Sequence, residues 1–425
     1  VIVIGGGWAG MAAAVTLSEA ERPVTVLEGA RVLGGRARRV DADGRAVDNG
    51  LHILIGAYTA ALRLMERVAA PGAGILRTPL RLALDNGFAL DCPRLPAPAH
   101  LLAGLLRASG LAWRDRLATC VFMVRMRRGG FRARAGETVT ALLDRFRQGP
   151  AARECLWHPL CVAALNTDPA EADAQVFLNV LRDGLAGGDG ASDLVLPTAD
   201  LSALFPEPAA RFVEAHGGAV STGVTVRAIT PGPGGFDLET TAGARRCERV
   251  VCATDPVRAL GLLPAIAALE ATRTQIESIR YRPIASVYLQ YPPGTRLAAP
   301  MLGLTGGPAQ WAFDRGALCG QEGLIGAVVS NATGLAGLEP AVLAGQVHRQ
   351  LRDAIRPAGE PRWSRTITEK RATFACVPGL ARPPQRTSVP GLYLAGDYTQ
   401  SDYPGTIEAA VRSGIACANA ILEDA

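Results

Sequence analysis

A chain of 425 residues, 48% hydrophobic and 20% charged, is neither disordered nor fibrous and has room for two or three domains with sizeable cores. Its net charge of +5 is local: between Arg94 and Arg134 stand nine arginines and one acid, Asp115, so this segment carries +8 and the remainder −3, which excludes a basic coat for nucleic acid. Mean hydropathy is high at +0.17, yet no run of roughly 18 uncharged apolar residues is present to cross a bilayer.

In chain order, Val1–Ile4 is an apolar run that stops at glycines and reads as a buried parallel strand. Ala-rich sequence from Trp8 to Glu21 predicts a helix, and Val24–Leu27, ending at Glu28, predicts the next strand; together they make a βαβ unit. The loop Leu33-Gly34-Gly35-Arg36 follows, then a strand near Ala46–Asp48 and a helix from Thr59 to Val68. Residues 75–205 change character, with helix-like segments, prolines around 93–98 and the arginine-rich stretch. A helix-then-strand pattern resumes from Ala209 to Val226, Pro231–Gly235 marks a turn, and Arg249–Ala253 predicts another buried strand. Strands are expected at Ile284–Tyr291, Leu324–Ser330, Arg365–Phe374 and Leu392–Ala395, and a closing helix at Ile407–Leu422.

Nucleotide-type segments thus open, interrupt and close the chain. The expected fold class is α/β: a Rossmann-like dinucleotide domain (1–74, 206–264, 386–425) interleaved with an α+β substrate domain (75–205, 265–385) of mixed sheet and helical cap. Nine scattered cysteines form no CxxC pair, so neither a metal site nor a disulfide framework is expected, and free thiols in a reducing cytoplasm are. The first residue is Val1, not Met, so a few residues are expected to have been trimmed; no signal peptide is visible.

The sequence Gly5-x-Gly7-x-Ala9-Gly10 sits between a predicted strand and helix. Glycines there permit a tight turn and a close backbone approach, so that a pyrophosphate meets the helix N-terminus. Glu28, eighteen residues after Gly10 and followed by Gly29, is placed to accept hydrogen bonds from ribose hydroxyls, and its charge disfavours a 2′-phosphate.

Further motifs carry a resemblance. Gly34-Gly35-Arg36 is similar to the second glycine motif of the amine oxidase and phytoene desaturase flavoprotein superfamily, and Gly391–Asp397 with Tyr403–Gly414 resembles its C-terminal flavin segment. The resemblance implies FAD. It puts Arg36 and Asp397 (with Gly396) near phosphate and ribityl groups, Val224 against adenine, and Gly50, Leu51 and His52 close to the flavin ring. The helix starting after Thr406, at Ile407, would aim its N-terminus at the pyrimidine edge, where a positive dipole favours reduced flavin. Amine oxidases of this fold usually carry an aromatic where Thr406 stands, which turns the expectation away from amines.

Asp48-Asn49-Gly50-x-His52, Trp157–Thr167, Ala174–Asp183 and Ala372–Ala375 resemble the squalene-associated FAD-dependent desaturases, the hydroxysqualene dehydroxylase family. This implies reduction of hydroxysqualene to squalene in hopanoid biosynthesis, with a long-chain isoprenoid substrate and an association with squalene-pathway synthases. His52 and Asp402 are then candidate proton donors, with Tyr403 and Asn166 as candidate orienters. Leu51 and Asp402 depart from the pattern, where glutamine and a small residue are expected. Two alternatives stay open: a carotenoid-type desaturase or other oxidase of the superfamily, and a non-catalytic prenyl-binding carrier of related fold. Leucines and arginines interleaved over residues 100–134 read either as an interfacial helix on anionic lipid or as a helix packed on its own core. A cytoplasmic protein with peripheral contact at the inner face of the cytoplasmic membrane is expected.

Overall fold

The computed structural model describes residues 1–69, 72–335, 337–357 and 359–424. A five-stranded parallel sheet is built around the first residues. Strand β1 (Ile2–Ile4) lies at its centre between β2 (Thr25–Glu28) and the strand Val250–Cys252; Ala219–Thr222 and Leu392–Leu394 form the edges. In register, Ile2 faces Thr25 on one side and Val250 on the other. Both faces of this sheet are covered, which is why its strands are short uninterrupted apolar runs. Val3, Val26, Val251 and Tyr393 point into the core beneath the helices. Ile2, Ile4, Cys252 and Leu394 point into the opposite core, which they share with Phe236 and Leu238 of an antiparallel three-stranded sheet.

Helix α1 (Trp8–Glu19) is rich in alanine, and this lets the closing helix, Ile407–Glu423, pack close against it. At Gly414 a Cβ would fall on the carbonyl oxygen of Ala9, so only glycine permits the approach. The helices Leu201–Leu204 and Pro206–Ala215 complete this layer, and Trp8 lies against Phe205 with ring centroids 5.0 Å apart.

The second body is an antiparallel five-stranded sheet in the order Met301–Gly303, Trp311–Asp314, Leu324–Val329, Tyr281–Gln290, Trp363–Phe374. One face, with Val287, Leu289, Ile325 and Ala327, packs on Val347 and Leu351 of the helix Pro340–Leu351. Against the other body of the chain stand helices including Ala99–Arg107, Trp113–Arg128, His158–Leu165 and Ala174–Val180. Their core includes Phe122, Trp157 and Phe177, all essentially buried; burial of a phenylalanine contributes roughly 1.5–3 kcal/mol relative to leaving it exposed. Two π-helical turns, Arg153–Trp157 and Leu181–Leu185, interrupt this region. The fold is therefore mixed α/β, with one parallel and several antiparallel sheets.

The stretch 100–134, read as either an interfacial helix or a helix packed on its own core, is not a single helix. It is two helices broken at Ser109-Gly110, where Gly110 takes a φ of +74° against the backbone of Phe88. Leu101, Leu105, Leu111 and Phe122 are core residues, whereas Leu106, Trp113 and Leu117 stand exposed. All nine cysteines are free, seven of them buried. Among the described residues no helix is long and apolar enough to cross a membrane.

Candidate active site

The fingerprint turn is shaped by contacts that exclude any side chain. Gly5 has a φ of +109°, and a Cβ there would lie 2.6 Å from the Ala253 carbonyl oxygen. At Gly10 a Cβ would fall on the carbonyl oxygen of Gly5 itself. Gly34 donates its N–H to the Gly6 carbonyl (2.9 Å), and Gly35 lies over Gly7, so the two glycine motifs form one cradle. The N-terminus of α1, at Gly7, Trp8 and Ala9, has no capping side chain and no acidic residue in its first turn. An uncapped terminus of this kind leaves N–H donors and a positive dipole end for an anion.

Glu28, at the end of β2, accepts the N–H of Gly6 (2.6 Å) on one carboxylate oxygen and that of Ala30 (2.7 Å) on the other. Each oxygen retains a lone pair for a hydroxyl donor. Gly29 is pressed against Thr225, and Val224 donates its N–H to the Glu28 carbonyl at 2.9 Å. Val224 is thus fixed beside the end of β2.

Arg36 and Asp397, 361 positions apart, form an ion pair, and Arg36 also donates to the carbonyl of Ala372 at 2.7 Å. Burial works against the Arg36 charge, but Asp397 outweighs it and holds the guanidinium more firmly protonated than usual. Gly396 donates its N–H to Ser413 (2.8 Å), tying the Gly-Asp turn to the closing helix. Thr406 is that helix's N-cap; its hydroxyl accepts from the N–H of Ala409, and Ile407 is buried as the first helical residue.

Between these parts runs the segment Asn49–Ile53. Its base is pinned by Asp48, whose carboxylate pairs with Arg315 (3.0 Å) and accepts the Leu201 N–H (2.8 Å), while its carbonyl accepts the Tyr288 hydroxyl (2.8 Å). Burial pushes the Asp48 carboxyl up against the pull of Arg315. Asn49 donates to the Arg36 carbonyl at 3.1 Å, Gly50 lies under the His52 ring, and Leu51 rests on Gly326. His52 Nδ1 is 2.8 Å from the Gly50 carbonyl. A carbonyl only accepts, so Nδ1 carries the hydrogen and the neutral ring has its lone pair on Nε2. Burial lowers the His52 pKa, and Arg36 adds to this. At neutral pH His52 is therefore an acceptor at Nε2.

The remaining candidates divide. Asp402 is exposed, and its backbone carbonyl accepts from Asn179 at 3.0 Å. Tyr403 donates to Asp183 (3.0 Å), lies under the Arg412 guanidinium, and has its hydroxyl pushed up to about 12, chiefly by burial. Asn166 is a brace: it ends the helix His158–Leu165 in a left-handed conformation, donates to Thr373 (3.0 Å) and accepts the N–H of Asn331 (2.6 Å). These bonds gather the segments 48–52, 157–167, 174–183 and 372–375 around one site.

Besides Arg315, sequence reasoning missed two residues that hold the site together. Arg382 donates to the carbonyls of Ser401 and Tyr403 (3.0 Å to the latter), clamping the loop that carries Asp402. Glu408, fully buried, accepts the N–H groups of Ala60 (3.0 Å) and Ala61 (2.9 Å) and pairs with Arg412 at 2.6 Å. It caps the helix Thr59–Val68, which has no side-chain cap of its own. A buried seam of about 10 Å³, room for a single water, is lined only by leucine, methionine and tryptophan, among them Leu82, Met123, Trp157 and Leu185.

The model of the family described as flavin containing amine oxidoreductase matches residues 8–422. The chain belongs to this family. It is 30% identical to a hydroxysqualene dehydroxylase of Rhodopseudomonas palustris, over 99% of this chain and 97% of that one. To a probable zeta-carotene desaturase of Synechococcus elongatus it is 25% identical, over 100% and 98% of the two chains. Among solved structures, a putrescine oxidase variant superposes with a TM-score of 0.74 at 14% identity, covering 100% of this chain and 98% of the other; that likeness shows the fold. Membership makes the chain a flavin-family oxidoreductase, and the glycine cradle with its uncapped helix fits the phosphates of such a group.

Proposed function

We propose that the chain binds FAD and reduces a long-chain isoprenoid alcohol, taking the hydroxyl from hydroxysqualene to leave squalene. The observation that carries this reading is similarity along the whole length to a hydroxysqualene dehydroxylase, 30% identical over 99% of this chain. Similarity over the whole length to a probable zeta-carotene desaturase supports a long-chain isoprenoid as the substrate class.

When bound, reduced FAD supplies a hydride. The chain's own residues have two tasks. They must deliver a proton to the hydroxyl so that it leaves as water, and keep bulk water from the electron-deficient carbon. Hydride and proton in, water out, balances the conversion of alcohol to hydrocarbon. Asp402 and His52 are the candidate donors, and His52 serves only when protonated, since its neutral ring presents a lone pair at Nε2. Tyr403, Asp183 and Arg382 orient the loop around Asp402. Incubation with hydroxysqualene, and in parallel with a carotenoid-type polyene, each with either reduced or oxidised flavin, tests the reading. Squalene formed only with reduced flavin supports it. A new double bond made by oxidised flavin in a carotenoid-type substrate, with no squalene, would instead favour a desaturase.

A further inference from the structure

Of the ten large apolar side chains that stand exposed among the described residues, four lie on one helical pair: Leu106, Trp113, Leu117 and Val121. The last three are spaced by four and form a single stripe along the helix Trp113–Arg128; Trp113 keeps 67% of its surface exposed. Arg116 holds Leu106 beside the stripe by donating to the carbonyls of Leu106 (3.3 Å) and Leu111 (2.9 Å). The far side of the same helix, with Phe122, Met123 and Met126, is buried, so the stripe is presented by a firmly packed element.

Arg107, Arg114, Arg125 and Arg128 stand exposed on this pair of helices. Among the described residues none of these four guanidinium groups enters an ion pair, although other arginines of the surface, such as Arg39, Arg77, Arg153 and Arg282, do. The stripe, with Arg114, Arg125 and Arg147, walls an open depression of about 330 Å³. A clustered apolar patch on a protein surface marks an interaction site, and the free cations say what kind.

We propose that this face docks on an anionic lipid bilayer, with Trp113, Leu117 and Val121 at the acyl boundary and the arginines on headgroup phosphates. A helix lying flat with an apolar stripe and a cationic rim is the geometry of in-plane interfacial binding. Indole suits the boundary between water and hydrocarbon, and guanidinium groups bind phosphate in bidentate fashion. A second copy of the chain would set one +8 segment against another, and like charges at close quarters repel. A nucleic acid would engage the arginines and leave the apolar stripe in water. Met123, on the inner side of the same helix, lines the buried seam, so docking sets that seam just under the lipid surface. Only this last point rests on the proposed substrate; the docking does not.

Cosedimentation of the full chain with vesicles tests the assignment, using phosphatidylcholine alone and phosphatidylcholine mixed with phosphatidylglycerol. Binding is expected to the mixed vesicles only, and to weaken as salt rises. The pairs Trp113→Ser with Leu117→Ser, and Arg114→Glu with Arg125→Glu, each weaken it about tenfold or more. Val342→Ser, an exposed apolar residue on another helix, leaves binding unchanged. Because every substituted side chain is exposed, all variants keep the parent's melting temperature. The proposal is overturned by failure to bind either vesicle, by equal binding to both, or by paired variants that bind like the parent. A concentration-dependent dimer abolished by these substitutions, without vesicle binding, would assign the face to self-association instead.

Discussion

Arg315→Met removes one half of the ion pair that pins the flavin-side segment. Asp48 and Arg315 are 2% and 5% exposed, and the guanidinium approaches the carboxylate at 3.0 Å. Without Arg315 the carboxylate stays buried with only the Leu201 N–H for company. Breaking a buried pair on one side costs about 3–5 kcal/mol, and the loss should be read as a lower urea midpoint at neutral pH together with lower flavin content. The pH dependence has a definite sign. Burial already raises the Asp48 pKa above its unfolded value, and loss of Arg315 raises it further. The folded variant therefore takes up a proton before the unfolded chain does, and its deficit shrinks on acidification. Adding Asp48→Asn should recover most of the loss, because Asn still accepts the Leu201 N–H and carries no charge. A single variant within about 1 kcal/mol of the parent at neutral pH, or a deficit indifferent to pH, would refute this account of the pair.

Gly10→Ala, whose Cβ falls on the Gly5 carbonyl, should lower stability by about 1–3 kcal/mol and abolish visible flavin absorbance. Gly7→Ala, whose Cβ meets only Gly35 at 3.7 Å, should keep the parent's melting temperature; the reverse order would refute the cradle geometry. Glu28→Ala leaves two backbone N–H groups without their charged acceptor and should weaken FAD binding at least tenfold in a fluorescence-quenching titration, or about 1.5 kcal/mol. Equal affinity would remove Glu28 from the cofactor site. His52 has a folded pKa below its ordinary 6.5, so below that pH the unfolded chain protonates first and the parent loses stability. His52→Gln escapes this loss, and urea midpoints measured on either side of pH 6.5 should converge or cross in its favour; a difference independent of pH would mean that the ring is not held neutral.

The nucleotide half was legible because it is local. The turn Gly5–Gly10, Glu28 and the strand-helix-strand order depend on neighbours in sequence, and the helix Thr59–Val68 falls where its periodicity puts it. What escaped acts over long separations or against local pattern. Glu408 caps a helix nearly 350 positions away, Arg382 sits in a proline-rich stretch with no motif around it, and Arg315, which follows a strand of the second sheet, is 267 positions from its partner Asp48. The π-helical turns near the seam carry no composition signal. In the stretch 100–134, leucine and arginine alternate in a way that fits either an outer or an inner face. The division between the buried Leu101 and Leu105 and the exposed Leu106, Trp113 and Leu117 is set by which side of each helix the substrate core occupies.

The proposed reaction is reductive removal of the hydroxyl of hydroxysqualene. An anaerobic single turnover of the chemically reduced holoenzyme with hydroxysqualene measures it directly. One squalene for each flavin reoxidised is the predicted result. Reoxidation without squalene, or recovery of unchanged hydroxysqualene with the flavin still reduced, would contradict it.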